Sequence, residues 1–204
     1  MKAFTTISGP AAPLMEANVN TDVIVRIERL SEVGRDGLEP YAFEAWRFDD
    51  TGAENPDFVL NQSPWRGAPI LLAGPNFGCG SSREGAVHAL DCIGIRAVIA
   101  PSFGGIFRNN CYQNGMLPVV LPEETVAGFA DIARTQPDAP FTVDLKRCVV
   151  VPPNGAPVPF EIDGLRRQAL LRGVDDLGLT AEKLPEIAAF QENDRAVRPW
   201  VWLT

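Results

Sequence analysis

Three short apolar runs, separated by segments of helix length, constrain the fold of this chain more than any other feature. The runs cover residues 69–73, 96–100 and 117–121, and the segments 82–92 and 106–114 between them have the character of helices. Successive strand–helix–strand units give parallel strands, and binding groups in such sheets lie beyond the carboxyl ends of the strands. The sequence therefore predicts a parallel sheet with functional residues on the loops that follow its strands.

The rest of the chain predicts shorter elements around this central unit. Further strands are expected at 141–145, 148–151 and 158–162, and further helices at 122–134, 165–172 and 184–195. Residues 2–8 alternate weakly and predict an edge strand, whereas two prolines in 9–14 predict a loop, and the charged segment 26–40 predicts a mobile surface loop. Mixed parallel and antiparallel strands with helices indicate a compact α/β or α+β fold, and we expect one domain over residues 1–204.

Composition narrows the class of protein. The chain has 204 residues, 46% hydrophobic and 22% charged, which suits one soluble globular domain with a sizeable core. The N-terminus lacks a secretory h-region, and no apolar run approaches the roughly 20 residues needed to cross a bilayer, so a cytoplasmic protein without a membrane partner is expected. A net charge of −8 argues against nucleic-acid binding but permits a small anionic substrate at a local site.

The loop after the first apolar run carries the strongest functional signal. Residues 76–84 read NFGCGSSRE, in which Gly78 and Gly80 allow a sharp turn and a close approach of the backbone to a ligand. The N–H groups at the start of the following helix favour an anion there. Arg83 adds a planar guanidinium suited to a carboxylate or phosphate, and two hydroxyls precede it. The pattern is that of a site for a small polycarboxylate.

A structural interpretation of the same residues is equally compatible with the spacing. Ser81 and Glu84 fit the S-x-x-E capping box, which needs no ligand. Two phosphate-binding motifs are excluded, because no Gly-Lys-Ser/Thr follows and the third glycine, Gly85, falls two positions late for the dinucleotide fingerprint.

The loop does not suit catalysis in which a histidine base activates a serine or cysteine nucleophile. The one histidine, His88, lies seven residues after Ser81, about 10 Å away along a helix at ~1.5 Å per residue. It therefore cannot deprotonate Ser81 or Cys79 directly and is expected to be a partly buried packing residue. A serine can still act as a base where strong positive charge lowers its pKa, and a metal-bound substrate would supply more of that charge than a helix start and Arg83.

The cysteines argue against a metal centre built by this chain alone. No two of them form C-x-x-C, and a single histidine is available to complete a site. All four are expected as free thiols: Cys79, Cys92, Cys111 and Cys148. Any metal in the reaction would then come from a partner protein.

Motifs of one known family are spread over nearly the whole chain. They are NVNTD at 18–22, WRF at 46–48, NPDFVLN at 55–61, NFGCGSSRE at 76–84, VIAPSF at 98–103, IFRNN at 106–110, ID at 162–163 and GVDDLGLT at 173–180. Together they resemble the small subunit of isopropylmalate dehydratase (isomerase) of leucine biosynthesis, and G-S-S-R-E with its glycine-rich lead is specific for the aconitase superfamily. The resemblance implies an α/β fold: a swivelling β/β/α domain with a mixed, partly parallel sheet flanked by helices.

The resemblance also implies an activity and a partner. Relatives are hydro-lyases that isomerise 2-isopropylmalate and 3-isopropylmalate by dehydration and rehydration, and they act only with a large subunit that carries a 4Fe–4S cluster. One iron of that cluster is the Lewis acid, and this chain is expected to bind no cofactor itself. By the same resemblance Ser81 is the base, Ser82 and Arg83 bind a substrate carboxylate, and Asp22 supports the site.

Two departures from the family pattern leave the substrate open. Gly85 stands where relatives usually have histidine, and residues 25–30 read VRIERL where relatives usually have a proline-containing segment. That loop helps choose the substrate side chain in relatives, so Arg26 or Arg29 is a candidate to bind an additional carboxylate. Other malate derivatives, such as citramalate, homocitrate or a dimethylmalate, are therefore alternative substrates. A non-catalytic anion-binding module is a further alternative, indicated by Gly85 alone.

Overall fold

The computed structural model describes residues 1–80 and 83–202, and the strands in this part of the chain form two sheets of four. In chain order the strands are β1 (Thr6–Gly9), β2 (Ala11–Leu14), β3 (Ile70–Ala73), β4 (Ala97–Ala100), β5 (Leu117–Val120), β6 (Phe141–Asp144), β7 (Val149–Val151) and β8 (Val158–Pro159). One sheet has the order β2-β3-β4-β5 and is parallel throughout, and the other has the order β1-β6-β7-β8 and is antiparallel.

Helices connect and flank these sheets. They are α1 (Thr21–Ile24), α2 (Ile27–Glu32), α3 (Glu44–Arg47), α4 (Glu84–Cys92), α5 (Gly105–Gln113), α6 (Glu123–Thr135), α7 (Gly164–Arg172), α8 (Asp176–Ala181) and α9 (Leu184–Val197). Short 3₁₀ turns occur at Arg35–Gly37, Glu39–Tyr41, Val59–Asn61 and Pro199–Val201. Within residues 1–80 and 83–202, every helix is too short or too polar to cross a membrane.

The parallel sheet separates two hydrophobic cores. Alternate residues of a strand point to opposite faces of its sheet, so Leu71 and Ala73 join the core that includes residues of α4 and α5. Ile70 and Leu72 join the second core, with α6 and the antiparallel sheet. All four residues are fully buried, as expected for a strand covered on both faces. The prediction of a mixed α/β fold with a partly parallel sheet is confirmed.

Strand β2 contradicts the loop predicted for residues 9–14. It pairs in parallel with β3, with Pro13 opposite Leu72, and its four residues are buried. β2 is the outer strand of its sheet. A proline costs no ladder hydrogen bond where its nitrogen faces away from the neighbouring strand, and edge strands allow this. Pairing with β3 and packing against α6, both far away in sequence, decided the conformation.

The surface loop predicted for residues 26–40 is also wrong in part. Residues 27–32 form α2, and Leu38 is buried in the core. The segment is attached to α3 by hydrogen bonds between the side chains of Arg29 and Glu44. A local charge pattern typical of a loop is therefore compatible with short helices when ion pairs and one apolar side chain fix them.

Candidate functional site

The loops that follow β2, β3 and β4 are joined by backbone hydrogen bonds at the carboxyl edge of the parallel sheet. The Gly78 N–H donates to the Val19 carbonyl at 2.7 Å, which joins the first two loops. The Phe77 N–H donates to the Ser102 carbonyl at 3.1 Å, which joins the second and third. The glycine-rich loop thus lies between two others, and its backbone conformation is set from both sides.

Gly78 and Gly80 have backbone conformations that favour glycine, with φ of +69° and +91°. Packing adds a second requirement at Gly78, because a Cβ there would lie 2.2 Å from Cγ of the Phe107 ring. The backbone of the third loop approaches equally closely: a Cβ on Gly104 would lie 2.3 Å from the Gly78 carbonyl oxygen. The turn therefore requires glycine both for its torsion angles and for the ring that packs on it.

An ion pair between Arg83 and Asp22 lies at this edge. Arg83 is the N-cap residue of α4, and its Nη1 donates to Oδ1 of Asp22 in the first turn of α1. The Arg83 side chain is only 14% exposed, whereas that of Asp22 is 52% exposed. A guanidinium has five N–H donors, so one carboxylate does not use its full capacity. The arrangement holds a positive charge at the start of a helix and orients it from one side.

The two predicted serines, Ser81 and Ser82, lie outside the described residues. The residues on either side of them, Gly80 and Arg83, both belong to the carboxyl edge described above. The roles assigned to the serines stay predictions.

The capping-box alternative is wrong. It required a helix that begins beside Ser81, but α4 begins at Glu84 with Arg83 at the N-cap and no side-chain cap. Oε1 of Glu84 instead accepts a hydrogen bond from Nδ2 of Asn114 at 2.9 Å. Arg83 therefore has the extended backbone of the loop and does not belong to the first helical turn. From there its side chain reaches Asp22.

Arg29 is engaged by acidic groups of this chain. Its Nε and Nη2 donate to the two carboxylate oxygens of Glu44 at 3.1 and 2.7 Å, and its Nη1 donates to Glu32 at 2.7 Å. These partners, Glu44 first, raise the pKa of Arg29. Its guanidinium also stacks 4.6 Å from the centre of the Tyr41 ring. A substrate carboxylate would have to displace Glu44 or Glu32, and the binding role of Arg29 stays a prediction.

Arg26 is the less restrained of the two predicted arginines. It is exposed and lines a surface cavity of about 550 Å³ together with Tyr41 and Glu44. Among residues 1–80 and 83–202, none forms a hydrogen bond or an ion pair with its side chain. The structure thus separates the predicted arginines: Arg83 pairs with Asp22, Arg29 pairs with Glu44, and Arg26 faces open space.

His88 is a packing residue on α4, in agreement with its spacing from the serines. Its Nε2 lies 4.0 Å from Oε1 of Glu84, and its Nδ1 is buried without a partner in the described part of the chain. Burial, with a smaller contribution from Arg35, lowers the pKa of His88. The neutral imidazole is therefore the form that the fold favours.

The cysteines are free thiols, as predicted. Cys111 is fully buried, and burial raises the pKa of its thiol. The thiol of Cys79 lies 3.4 Å from the carbonyl oxygen of Asn18. In the described ranges, no three His, Cys, Asp or Glu side chains group closely enough to hold a metal ion.

Two side-chain contacts that organise the edge were not predicted from the sequence. Oδ1 of Asn20 accepts from the Val23 N–H at 2.8 Å and caps α1. Oγ of Ser102 accepts from the backbone N–H of Asn76 at 2.8 Å. The asparagine before an apolar helical turn was the one usable signal, because asparagine is among the preferred N-cap residues. The contact between Ser102 and Asn76 joins distant segments and has no local signature.

Comparisons with known proteins agree with this geometry. Residues 1–124 match the family model described as the Aconitase C-terminal domain, and residues 129–164 match the model described as LeuD_N. The chain is 50% identical over 200 residues to the 3-isopropylmalate dehydratase small subunit of Rhodospirillum centenum, covering 98% of each chain. It is 49% identical over 201 residues to the small subunit of the same name from Jannaschia sp., covering 98% of this chain and 100% of that one.

A solved structure supports the same relationship. The 3-isopropylmalate dehydratase (LeuD) of Methanocaldococcus jannaschii superposes with a TM-score of 0.65 at 27% identity, covering 90% of this chain and 99% of that one. Sequence identity, coverage and fold lead to one conclusion: the chain belongs to the family of 3-isopropylmalate dehydratase small subunits.

Proposed function

We propose that this chain forms the substrate-binding half of a 3-isopropylmalate dehydratase, a hydro-lyase that interconverts 2-isopropylmalate and 3-isopropylmalate through an alkene. We also propose that residues 1–204 act as a single swivelling domain and that activity requires a large subunit. The observation that carries the proposal is the Arg83–Asp22 pair beside the glycine-rich turn, in a chain about half identical to named small subunits over nearly its full length.

The proposed work of this chain is to bind a carboxylate and to accept a proton. Arg83 binds the substrate carboxylate with the donors that Asp22 leaves, and Ser82 adds a hydroxyl. Ser81 removes the proton next to a carboxylate. The positive charge of Arg83 and the start of α4 favours the deprotonated form of a nearby hydroxyl. Gly78 and Gly80 support the turn that presents these groups.

The proposed partner completes the site. A 4Fe–4S cluster on the large subunit supplies a Lewis acid for the hydroxyl and carboxylate of the substrate. The residues of this chain are suited to a position beside such a cluster, because Arg83 and the N-terminus of α4 would neutralise a substrate carboxylate. Asp22 keeps the guanidinium in place while the substrate is turned over.

A second candidate substrate class follows from Arg26. Its exposed guanidinium, without an ion-pair partner in the described residues, is available to a substrate that carries an additional carboxylate. Homocitrate is such a substrate, whereas the isopropyl group of isopropylmalate would gain nothing from an arginine. Citramalate and dimethylmalate differ from isopropylmalate in the size of their apolar group, so their turnover would test which group sizes the loop at residues 25–30 accepts.

The test is an anaerobic assay of this chain mixed with the large subunit from the same source. Alkene formation from 3-isopropylmalate is followed for the wild type and for Ser81→Ala, with the exposed Ser63→Ala as the matched control. We expect activity only in the mixture, loss of at least ~1,000-fold in Ser81→Ala and no change in Ser63→Ala. Turnover of homocitrate, with none of isopropylmalate, would transfer the assignment to the second class, whereas turnover of citramalate alone would transfer it to a malate derivative with a smaller apolar group. Inactivity on all of them would favour a non-catalytic anion-binding module.

A further inference from the structure

The first turn of α4 has a close neighbour in α2. A Cβ atom placed on Gly85 would lie 2.3 and 2.7 Å from the two methyl carbons of Leu30, and 3.1 Å from its Cγ. Contacts under 3.0 Å are essentially never made by real Cβ atoms, so a Cβ at position 85 would displace either the Leu30 side chain or the helix that carries it. The Leu30 side chain therefore occupies the space that a side chain at position 85 would need, and α2 approaches α4 this closely because residue 85 is glycine.

Helix α2 has few other attachments to the body of the protein. None of its six residues is fully buried, and its N-cap residue, Arg26, makes no side-chain cap. The hydrogen bonds from Arg29 to Glu44 hold it to α3. Leu30, which packs against the core, holds it to α4. Neighbouring residues on one short helix thus fix it at two points, one polar and one apolar.

The same two chain segments meet again at the candidate site. Asp22 precedes α2 by only a few residues, and Arg83 precedes Gly85 by two. The Asp22–Arg83 ion pair and the Leu30–Gly85 contact therefore both join residues 21–32 to residues 83–85. Because Asp22 and Leu30 lie on one short stretch of chain, as do Arg83 and Gly85, we expect a change at one contact to shift the other.

We propose that Leu30 is a positioning residue for Arg83: by packing on Gly85 it sets the distance between α2 and α4, and so fixes the Asp22 carboxylate that orients the Arg83 guanidinium. The inference rests on the proposed function. A side chain at position 85 pushes α2 outward and turns Arg83 away from the substrate carboxylate. We expect the effect on substrate binding, because the residue displaced is Arg83, the proposed carboxylate-binding group.

The test is a double-mutant cycle of Gly85→Ala and Leu30→Ala in the reconstituted complex, with 3-isopropylmalate as substrate. We expect Gly85→Ala alone to raise KM about tenfold with little change in kcat, because a displaced Arg83 would bind the substrate carboxylate less well in the ground state and the transition state alike. In the Leu30→Ala background the same substitution should change KM less than about twofold, because the obstructing methyl groups are gone. Gly128→Ala, on α6 with open space around it, is the control and should leave KM unchanged.

The outcomes separate the two proposals. An active wild-type complex in which Gly85→Ala has the same effect on KM in both backgrounds, or none, overturns the positioning role alone. A wild-type complex inactive on isopropylmalate, citramalate and homocitrate overturns the proposed function and this inference with it. If Gly85→Ala does not fold, the KM values of Leu30→Ala and of the conservative Leu30→Met test the inference. KM should rise in Leu30→Ala and stay near the wild-type value in Leu30→Met. Equal KM values in these two variants would contradict the inference.

Discussion

The two edges of the parallel sheet use arginine in opposite ways. At the carboxyl edge, Arg83 pairs with Asp22, a carboxylate that is half exposed to solvent. Near the amino ends of β3 and β4, Arg47 is 9% exposed, and its Nη1 donates to the backbone carbonyl of Glu39 at 2.8 Å. Burial lowers the pKa of Arg47. One guanidinium is the group proposed to bind a substrate carboxylate, whereas the other is part of the folded framework.

The network around Arg47 shows what that framework does. Nδ2 of Asn61 donates to the carbonyls of Arg47 and Asn55 at 2.7 and 2.9 Å. One side-chain amide thus joins three parts of the long segment between β2 and β3. Nη2 of Arg66 donates to the Asn61 carbonyl at 2.7 Å from outside. Buried polar groups that lose their partners cost more than exposed ones. Substitutions at the amino edge should therefore change stability, and those at the carboxyl edge should change activity.

The largest effect is expected where one residue serves both properties. Gly78→Ala places a Cβ 2.2 Å from the Phe107 ring at a φ of +69°. It should lower the free energy of unfolding by about 4 kcal/mol, because strain in the left-handed region adds to overpacking, and it should abolish turnover. Denaturant unfolding and the reconstituted assay measure both losses.

Gly52→Ala is the matched control for Gly78, since its φ is +82° and nothing lies within 4 Å of its Cβ position. It should cost only about 1 kcal/mol, from backbone strain. An equal cost at both positions would show that packing on Phe107 contributes nothing.

Arg83→Lys tests the carboxyl edge with almost no change of charge or volume. We expect kcat/KM to fall about 100-fold, or ~2.7 kcal/mol, because an ammonium cannot bind two carboxylates with a fixed planar geometry. Thermal unfolding should be almost unchanged. Arg66→Lys, which alters an exposed bidentate pair with Glu54, should leave activity as it is. Full activity in Arg83→Lys would remove the carboxylate-binding role.

Asn61→Ala is the reverse experiment at the amino edge. It removes one donor from the carbonyls of Arg47 and Asn55, which keep the N–H groups of Asn55 and Phe58. It also removes the side-chain oxygen that accepts from the buried Nε of Arg47, and should cost about 2 kcal/mol of stability with KM unchanged. The neighbouring Gln62 makes longer, exposed hydrogen bonds to the carbonyls of Pro56 and Asp57, so Gln62→Ala should cost less than ~0.5 kcal/mol. Loss of substrate affinity in Asn61→Ala would mean that the two edges are coupled.

The contrast between the edges also explains what could be predicted from the sequence. The strands β3, β4 and β5 were predicted to within a residue or two, because runs buried on both faces are continuously apolar. β2 was missed because its burial comes from β3 and α6, which lie far away in sequence and which local composition does not show.

Residues of the site were predicted by local chemistry, whereas their partners were not. The glycine turn and Arg83 follow from the sequence, but the spacing gives no sign that Asp22, 61 residues away, is its partner. That pairing was expected only in outline, from the family resemblance. Arg29 shows the converse: it was predicted to meet a substrate, and the fold gives it Glu44 as a partner. Pairing between distant charges depends on packing, and packing is what local patterns omit.

The smallest effect concerns His88, which lies on α4 between the two edges. Burial and Arg35 lower its pKa below the ordinary 6.5, against the opposing influence of Glu84, Asp91 and Asp36. Below about pH 6.5 the unfolded chain therefore binds more protons at this position than the folded chain, and the stability that His88 contributes is lost as the pH falls toward its folded pKa.

His88→Gln removes this dependence. Denaturant unfolding at about pH 7.5 and pH 5.5 should show the wild type losing more stability than the variant on acidification. Equal losses would mean that the pKa of His88 is the same in the folded and the unfolded chain, and a smaller loss in the wild type would mean that Glu84 outweighs burial.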